Sequence, residues 1–304
     1  MDIKDWSGLI AATFTPMQNN GELNISAIPS IVSQLLKEGA AGLYVCGGTG
    51  EGTSLTNDER MAVAEAYISA ANGKVPVFIH VGQDSLFAAR ELAKHAMEIG
   101  ATGISAITPT YFKPTSTGAL IDSLKVIVEG APNLPFIYYH FPGKSILQLN
   151  LNEFIEVASN ELPSMYAIKF TDPKLHDLQS ILHTSNHKIK VFFGTDEMLL
   201  AGLAVGASGA IGSTYNFALP LYSKLIEAWQ NNDLAKAKYL QNLSVTLVNT
   251  FAPFGGIEGQ KAIMSMVGME CGPTRLPLNR LTASAVEELR LKLEDIGFFE
   301  WGRP

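Results

Sequence analysis

The chain has 304 residues, 47% of them hydrophobic and 17% charged, which supplies a large core and argues against disorder or low complexity. A formal net charge of −7 leaves no basic stripe for nucleic acid or an anionic membrane, and Cys46 and Cys271, the only two cysteines, form neither a disulfide framework nor a thiolate zinc site. No run of roughly 18 apolar residues could span a bilayer, and the opening MDIKDWSGLIAATFTP lacks a signal-peptide core, so the chain reads as soluble, cytoplasmic and globular.

Eight short runs are continuously apolar, the pattern of buried parallel strands rather than of a half-exposed sheet. In chain order they are GLIAATF (8–14), AGLYVC (41–46), VPVFIH (75–80), TGISAIT (102–108), LPFIYY (134–139), MYAIKF (165–170), IKVFF (189–193) and ASGAIG (207–212). Amphipathic stretches lie between them. The one over 57–70 carries Met61, Ala64, Ala66 and Ile68, and the one over 84–99 opens on the cap pair Asp84-Ser85. Asn72-Gly73-Lys74 and Asn133-Leu134-Pro135 are turns that precede strands.

Eight such units predict an α/β fold, a (β/α)8 TIM barrel with right-handed crossovers. The competing architecture, an open doubly wound sheet, wants a Gly-rich first turn, and Thr13-Phe14-Thr15-Pro16 is not one. Beyond 216 the pattern is helical only, over 219–230, 232–250, 257–268 and 282–296, the last with Val286, Leu289, Leu293 and Ile296 on one stripe. The expected division is barrel strands and most helices over 1–215, then the last barrel helix and a C-terminal helical extension over 216–304, within one domain.

Barrel chemistry sits at the C-terminal ends of the strands. Lys169 stands in a run that otherwise has no place for a charge. Burying an ammonium without a partner is costly, and the usual relief is a lowered pKa. A neutral amine there is a nucleophile for carbonyl carbon, the first step of Schiff-base catalysis. The alternative is a lysine that snorkels to the rim or pairs with a carboxylate. Tyr139 ends the neighbouring run and could carry a proton between substrate oxygen and carbon. Tyr138 and His140 face other ways and read as packing, while His80, His95, His176, His183 and His187 read as structural or exposed.

Three loops complete the candidate set. Gly47-Gly48-Thr49-Gly50-Glu51-Gly52 supplies closely spaced N–H groups suited to a carboxylate, with Glu51 ordering the loop; the alternative is a plain tight turn. Asp196-Glu197 would accept hydrogen bonds from a polyol, or else simply open a helix. Ser213 adds a polar contact after the eighth run. No HExxH, 2-His-1-carboxylate or aspartate cluster is present, so no metal is implied, and neither GxGxxG nor a P-loop marks a nucleotide site.

With Gly-Thr-Gly-Glu after the second run, a tyrosine ending the fifth and a lysine in the sixth, the chain resembles the pyruvate-dependent class I aldolases of the N-acetylneuraminate lyase and dihydrodipicolinate synthase family. The resemblance covers about 8–277. Phe193-Gly194-Thr195-Asp196-Glu197 and Ile211-Gly212-Ser213-Thr214-Tyr215-Asn216 look like its sialic acid lyase branch, and the stretches at 11–24, 95–114 and 261–278 look like the animal-type lyases. It implies reversible aldol cleavage of N-acetylneuraminate to N-acetylmannosamine and pyruvate by a homotetramer with no metal or organic cofactor. Lys169 would form the imine and Tyr139 would move the C4 hydroxyl proton. Gly48 and Thr49 would hold the carboxylate, while Thr171, Gly194, Asp196, Glu197 and Ser213 match positions holding the hydroxylated tail. Tyr111 matches a tyrosine near a subunit contact.

Two positions depart from the lyase pattern. Gly48 replaces the usual Ser or Thr, and Pro142-Gly143-Lys144-Ser145-Ile146 stands where Pro-Ala-Leu-Ser/Thr-Gly is usual. Both keep open a related activity: a keto-deoxy-sugar-acid dehydratase or aldolase, or a dihydrodipicolinate-synthase-like enzyme using the same imine. A 2-keto-acid-binding protein without turnover is the non-enzymatic alternative.

Overall fold

A computed structural model describes residues 6–145 and 149–302. The first five residues of the opening segment and Ile146 lie outside the described residues. Eight parallel strands close into a barrel in sequence order: β1 (Gly8–Ala12), β2 (Gly42–Val45), β3 (Val77–His80), β4 (Gly103–Ile107), β5 (Phe136–His140), β6 (Met165–Phe170), β7 (Lys190–Phe193) and β8 (Gly209–Gly212). Closure is made by β8 pairing with β1, Ile211 opposite Ile10. All eight expected runs are strands.

The connecting helices are α1 (Ile28–Lys37), α2 (Asn57–Ala71), α3 (Leu86–Glu98), α4 (Thr117–Val128), a four-residue α5 (Pro142–Ser145), α6 (Leu151–Glu161), α7 (Leu175–Thr184) and α8 (Leu199–Ala204). Their starts follow local chemistry. Thr56 forms a full capping box with Glu59 at the start of α2, and Ser85, Ser116 and Asn150 cap α3, α4 and α6. The chain then runs through α9 (Tyr215–Gln230), α10 (Leu234–Phe251), α11 (Gly256–Met266), α12 (Ala283–Asp295) and the short α13 (Phe298–Trp301).

One helix differs from its expected span. α9 begins at Tyr215, not near 219, and passes through Pro220 with a break at Ala218, where φ is −140°. Proline lacks an N–H and its ring crowds the carbonyl one turn back, so the helix kinks there rather than starting there. The early start lets Asn216 Nδ2 donate to Ala12 O at 2.7 Å and to Ser213 O at 2.8 Å, tying the end of β1 to the loop after β8.

The core has two compartments. Between strands and helices lies the large apolar layer expected of a barrel, including Leu43, Val45, Ile104, Ile168 and Phe193. Inside the barrel sit Ile10, Ala12, Tyr44, Phe78, Ile137, Ala167, Phe192 and Ile211. Trp6 plugs the N-terminal end, edge-on to Phe78 at 4.6 Å and to Tyr166 at 5.0 Å. Strand side chains alternate in and out, so Ala167 inside puts Lys169 inside too, and Ile137 does the same for Tyr139. The apolar floor thereby ends in polar side chains at the opposite rim.

Candidate active site

Register sets the central pair. Tyr139 lies directly opposite Lys169 across β5 and β6. Lys169 Nζ sits 4.2 Å from the centre of the Tyr139 ring and 4.4 Å from that of Tyr44, so the amine lies between two aromatic faces. Among the described residues it has no ion pair within 4 Å. Burial lowers its pKa from 10.5 to about 7, with the Asp196 charge opposing the drop. A large share of the amine is therefore neutral near pH 7. The alternatives of a snorkelling or carboxylate-paired lysine do not describe it, since the side chain is buried, its amine lies over two rings and, among the described residues, it forms no ion pair.

The walls keep that environment. The Ser105 hydroxyl donates to Ile137 O at 2.7 Å, so at 2.8 Å the Tyr44 hydroxyl donates to Ser105 Oγ. Ile107 N–H donates to His80 Nε2 at 3.2 Å, which leaves that nitrogen without a proton and the ring neutral. Burial, then the Arg60 and Lys169 charges, hold the His80 pKa well below its ordinary value. Burial also raises Tyr139, partly opposed by the Thr171 hydroxyl and reinforced by Asp196, so the phenol keeps its proton.

Two glycines are dictated by what stands beside them. A Cβ on Gly194 would meet Thr171 Oγ1 at 2.0 Å, and one on Gly212 would meet Asp196 Oδ1 at 1.7 Å. Only hydrogen fits at either position. Thr171 Oγ1 is buried against Gly194 with no hydrogen bond closed. Asp196 Oδ2 accepts from Thr214 N at 3.0 Å and Thr214 Oγ1 at 2.6 Å, whereas Oδ1 is buried without a hydrogen bond. Asp196 is thus half committed to holding its loop. Glu197 and Ser213 are partly exposed on the same rim.

The loop after β2 turns on two residues in left-handed backbone, Cys46 at φ 59° and Glu51 at φ 53°. Thr15 Oγ1 grips Gly50 O at 2.6 Å, and a Cβ on Gly47 would strike the Tyr44 ring at 2.6 Å. Among the described residues, neither the Gly48 nor the Thr49 N–H meets a protein acceptor. Adjacent free donors of this kind suit an anion. Glu51 points away from substrate space: its Oε1 pairs with Lys261 Nζ at 2.6 Å and its Oε2 accepts from Arg275 N at 2.8 Å.

The dihydrodipicolinate synthetase family model matches residues 5–296. The chain belongs to that family. It is 39% identical to an N-acetylneuraminate lyase of Mus musculus over 97% of this chain and 94% of that protein. Solved N-acetylneuraminate lyases from Aliivibrio salmonicida and Proteus mirabilis superpose with a TM-score of 0.94 each, at 36% and 34% identity. They cover 97% of this chain and 98% and 100% of theirs.

Gly48, Thr49, Tyr139, Lys169, Thr171, Gly194, Asp196, Glu197 and Ser213 all lie at or just beyond the C-terminal ends of the strands. Tyr138 and His140 pack outside the barrel as expected: Tyr138 bonds Thr108 at 2.8 Å, and His140 stacks on Phe170 with ring centres 5.3 Å apart. Sequence reading missed Tyr44 and read His80 as structural or exposed; it is buried on the inner face and accepts from Ile107 N–H. The signal for both was parity with Phe78 and Ile10 on the inner face, but an aromatic in a buried strand reads as ordinary core.

Proposed function

We propose that this protein is a class I aldolase that reversibly cleaves N-acetylneuraminate to N-acetylmannosamine and pyruvate through an imine on Lys169. The observation that carries the reading is the amine of Lys169, buried between two tyrosine rings with its pKa lowered to about 7. Neutral amine attacks the 2-keto carbon, loss of water gives the imine, and the imine draws the electrons of the breaking C3–C4 bond. Tyr139 gives its proton to the hydroxyl that leaves as water when the iminium forms. The phenolate so made takes the C4 hydroxyl proton as the aldehyde forms and delivers it to C3 of the remaining enamine. Its raised pKa makes that phenolate a strong base toward the C4 hydroxyl. Hydrolysis of the imine frees pyruvate and restores the lysine.

The Gly48 and Thr49 N–H groups, with the Thr49 hydroxyl, hold the carboxylate, and Thr49 thereby orients the reacting carbon. Thr171, Gly194, Asp196, Glu197 and Ser213 line the side toward the hydroxylated tail. No cofactor is required by these steps. Gly48 favours one second reading, a dehydratase or aldolase acting on a keto-deoxy sugar acid, because its open position leaves the carboxylate end roomier. Pyruvate release by purified protein tests both: N-acetylneuraminate should be the better substrate, and exclusive turnover of a keto-deoxy sugar acid would favour the second reading.

Among the described residues, no helix is long and apolar enough to cross a membrane. We infer a cytoplasmic homotetramer. The free, buried Cys46 and Cys271 suit a reducing compartment. Tyr111 and Phe112, 78% and 83% exposed on the loop after β4, offer an apolar surface for a second copy.

A further inference from the structure

Glu51 is held in a backbone conformation that side-chain-bearing residues rarely adopt, so something must secure it. The restraint comes from the far end of the chain. Lys261, on α11, places Nζ 2.6 Å from Glu51 Oε1, with both side chains almost completely buried, at 2% and 1% exposure. The same Nζ donates to Pro273 O at 3.0 Å. Arg275 N–H takes the other carboxylate oxygen at 2.8 Å. Arg275 is itself fixed: Nη1 and Nη2 reach Glu59 at 2.7 and 2.8 Å, Nη1 donates to Ser54 O at 3.0 Å and Nη2 to Gly21 O at 2.7 Å. The C-terminal extension thus clamps the loop after β2 from behind.

Two consequences follow for Gly48 and Thr49, which sit just ahead of Glu51. Their free N–H groups keep their direction only while Glu51 stays left-handed, because the Glu51 N–H bond to Gly48 O, at 3.0 Å, closes the turn. The Lys261 ammonium also offsets the Glu51 carboxylate, a fixed negative charge that would otherwise oppose an incoming carboxylate. We propose that Lys261 is a positioning residue for the 2-keto acid: through Glu51 it holds the loop amides in the geometry that receives the substrate carboxylate. The proposal rests on the aldolase reading above. It assigns to the extension a part in pyruvate binding that its distance from the imine lysine does not suggest.

The test uses Lys261→Met and the double variant Glu51→Gln/Lys261→Met, the second because it leaves no unpaired buried charge if the first does not fold. KM for pyruvate and for N-acetylmannosamine are measured in the synthesis direction, beside a thermal melt of each protein. The expected result is a rise of about ten- to a hundredfold in KM for pyruvate, the scale of a misplaced binding group, with KM for N-acetylmannosamine within about twofold of wild type. The double variant should retain part of the rise. A pyruvate KM within about twofold of wild type in the folded variant, or equal rises for both substrates, overturns the proposal and leaves Lys261 a purely stabilising residue. Wild-type protein that forms no borohydride-trapped adduct with pyruvate overturns the aldolase reading as well, and that result is seen before any variant is made.

Discussion

Lys169 shows at the scale of one residue what function costs stability. In the unfolded chain its amine holds a proton up to about pH 10.4, whereas burial brings it to about 7 in the fold. Between those limits the unfolded state binds the extra proton, so stability rises with pH; below about 7 the penalty is present in full. Lys169→Met keeps the length of the side chain and removes the penalty. Its melting temperature should exceed that of wild type by about 4 °C or more near pH 6.5, and the gap should narrow toward pH 10; a pH-independent gap would show that the amine is not charged on unfolding at the cost inferred. Gly48 is the other informative single position. No atom lies within 4 Å of a Cβ built there, and its φ is outside the left-handed region. A serine at this point carries neither clash nor backbone strain. Gly48→Ser should therefore fold as wild type and raise kcat/KM for N-acetylneuraminate about tenfold, the yield of one net hydrogen bond of roughly 1.4 kcal/mol. A stable variant with unchanged turnover would show that the missing hydroxyl does not limit catalysis.

The loop after β7 gives its two adjacent carboxylates different surroundings. Asp196 bonds the backbone and side chain of Thr214, and its carbonyl accepts from Ser244 Oγ at 3.2 Å and Gln241 Nε2 at 3.3 Å on α10. Among the described residues Glu197 makes no such side-chain bonds, and it is partly exposed, its pKa raised chiefly by burial. Glu197→Gln should raise KM for N-acetylneuraminate about tenfold without lowering the melting temperature, whereas Asp196→Asn should lower both substrate affinity and melting temperature. Melts and steady-state kinetics of the two variants decide it, and identical behaviour would place both side chains in the same role. From sequence the two were indistinguishable, because what separates them is Thr214, on the loop after the neighbouring strand β8.

Across the whole molecule, what was legible followed from local patterns with one physical solution. Eight unbroken apolar runs separated by helical stretches have few packings besides a closed parallel barrel, and a lysine in such a run has few reasons to be there. Contacts that join distant segments were not legible. Nothing local marks Tyr44 as one face of the amine's box, since a tyrosine in a core strand satisfies the same pattern. Lys261 read as part of a helix and of a stretch resembling the animal-type lyases, with no role of its own, and its partner Glu51 lies in a distant part of the sequence. The start of α9 was misjudged because Pro220 carries the mark of a first helical turn. The central claim is the imine on Lys169, and borohydride trapping tests it most directly. Protein reduced in the presence of pyruvate should carry one covalent adduct, peptide mapping should place it on Lys169, and the trapping rate should rise with pH through about 7 as the amine loses its proton. An adduct on another lysine, or none, would contradict the account.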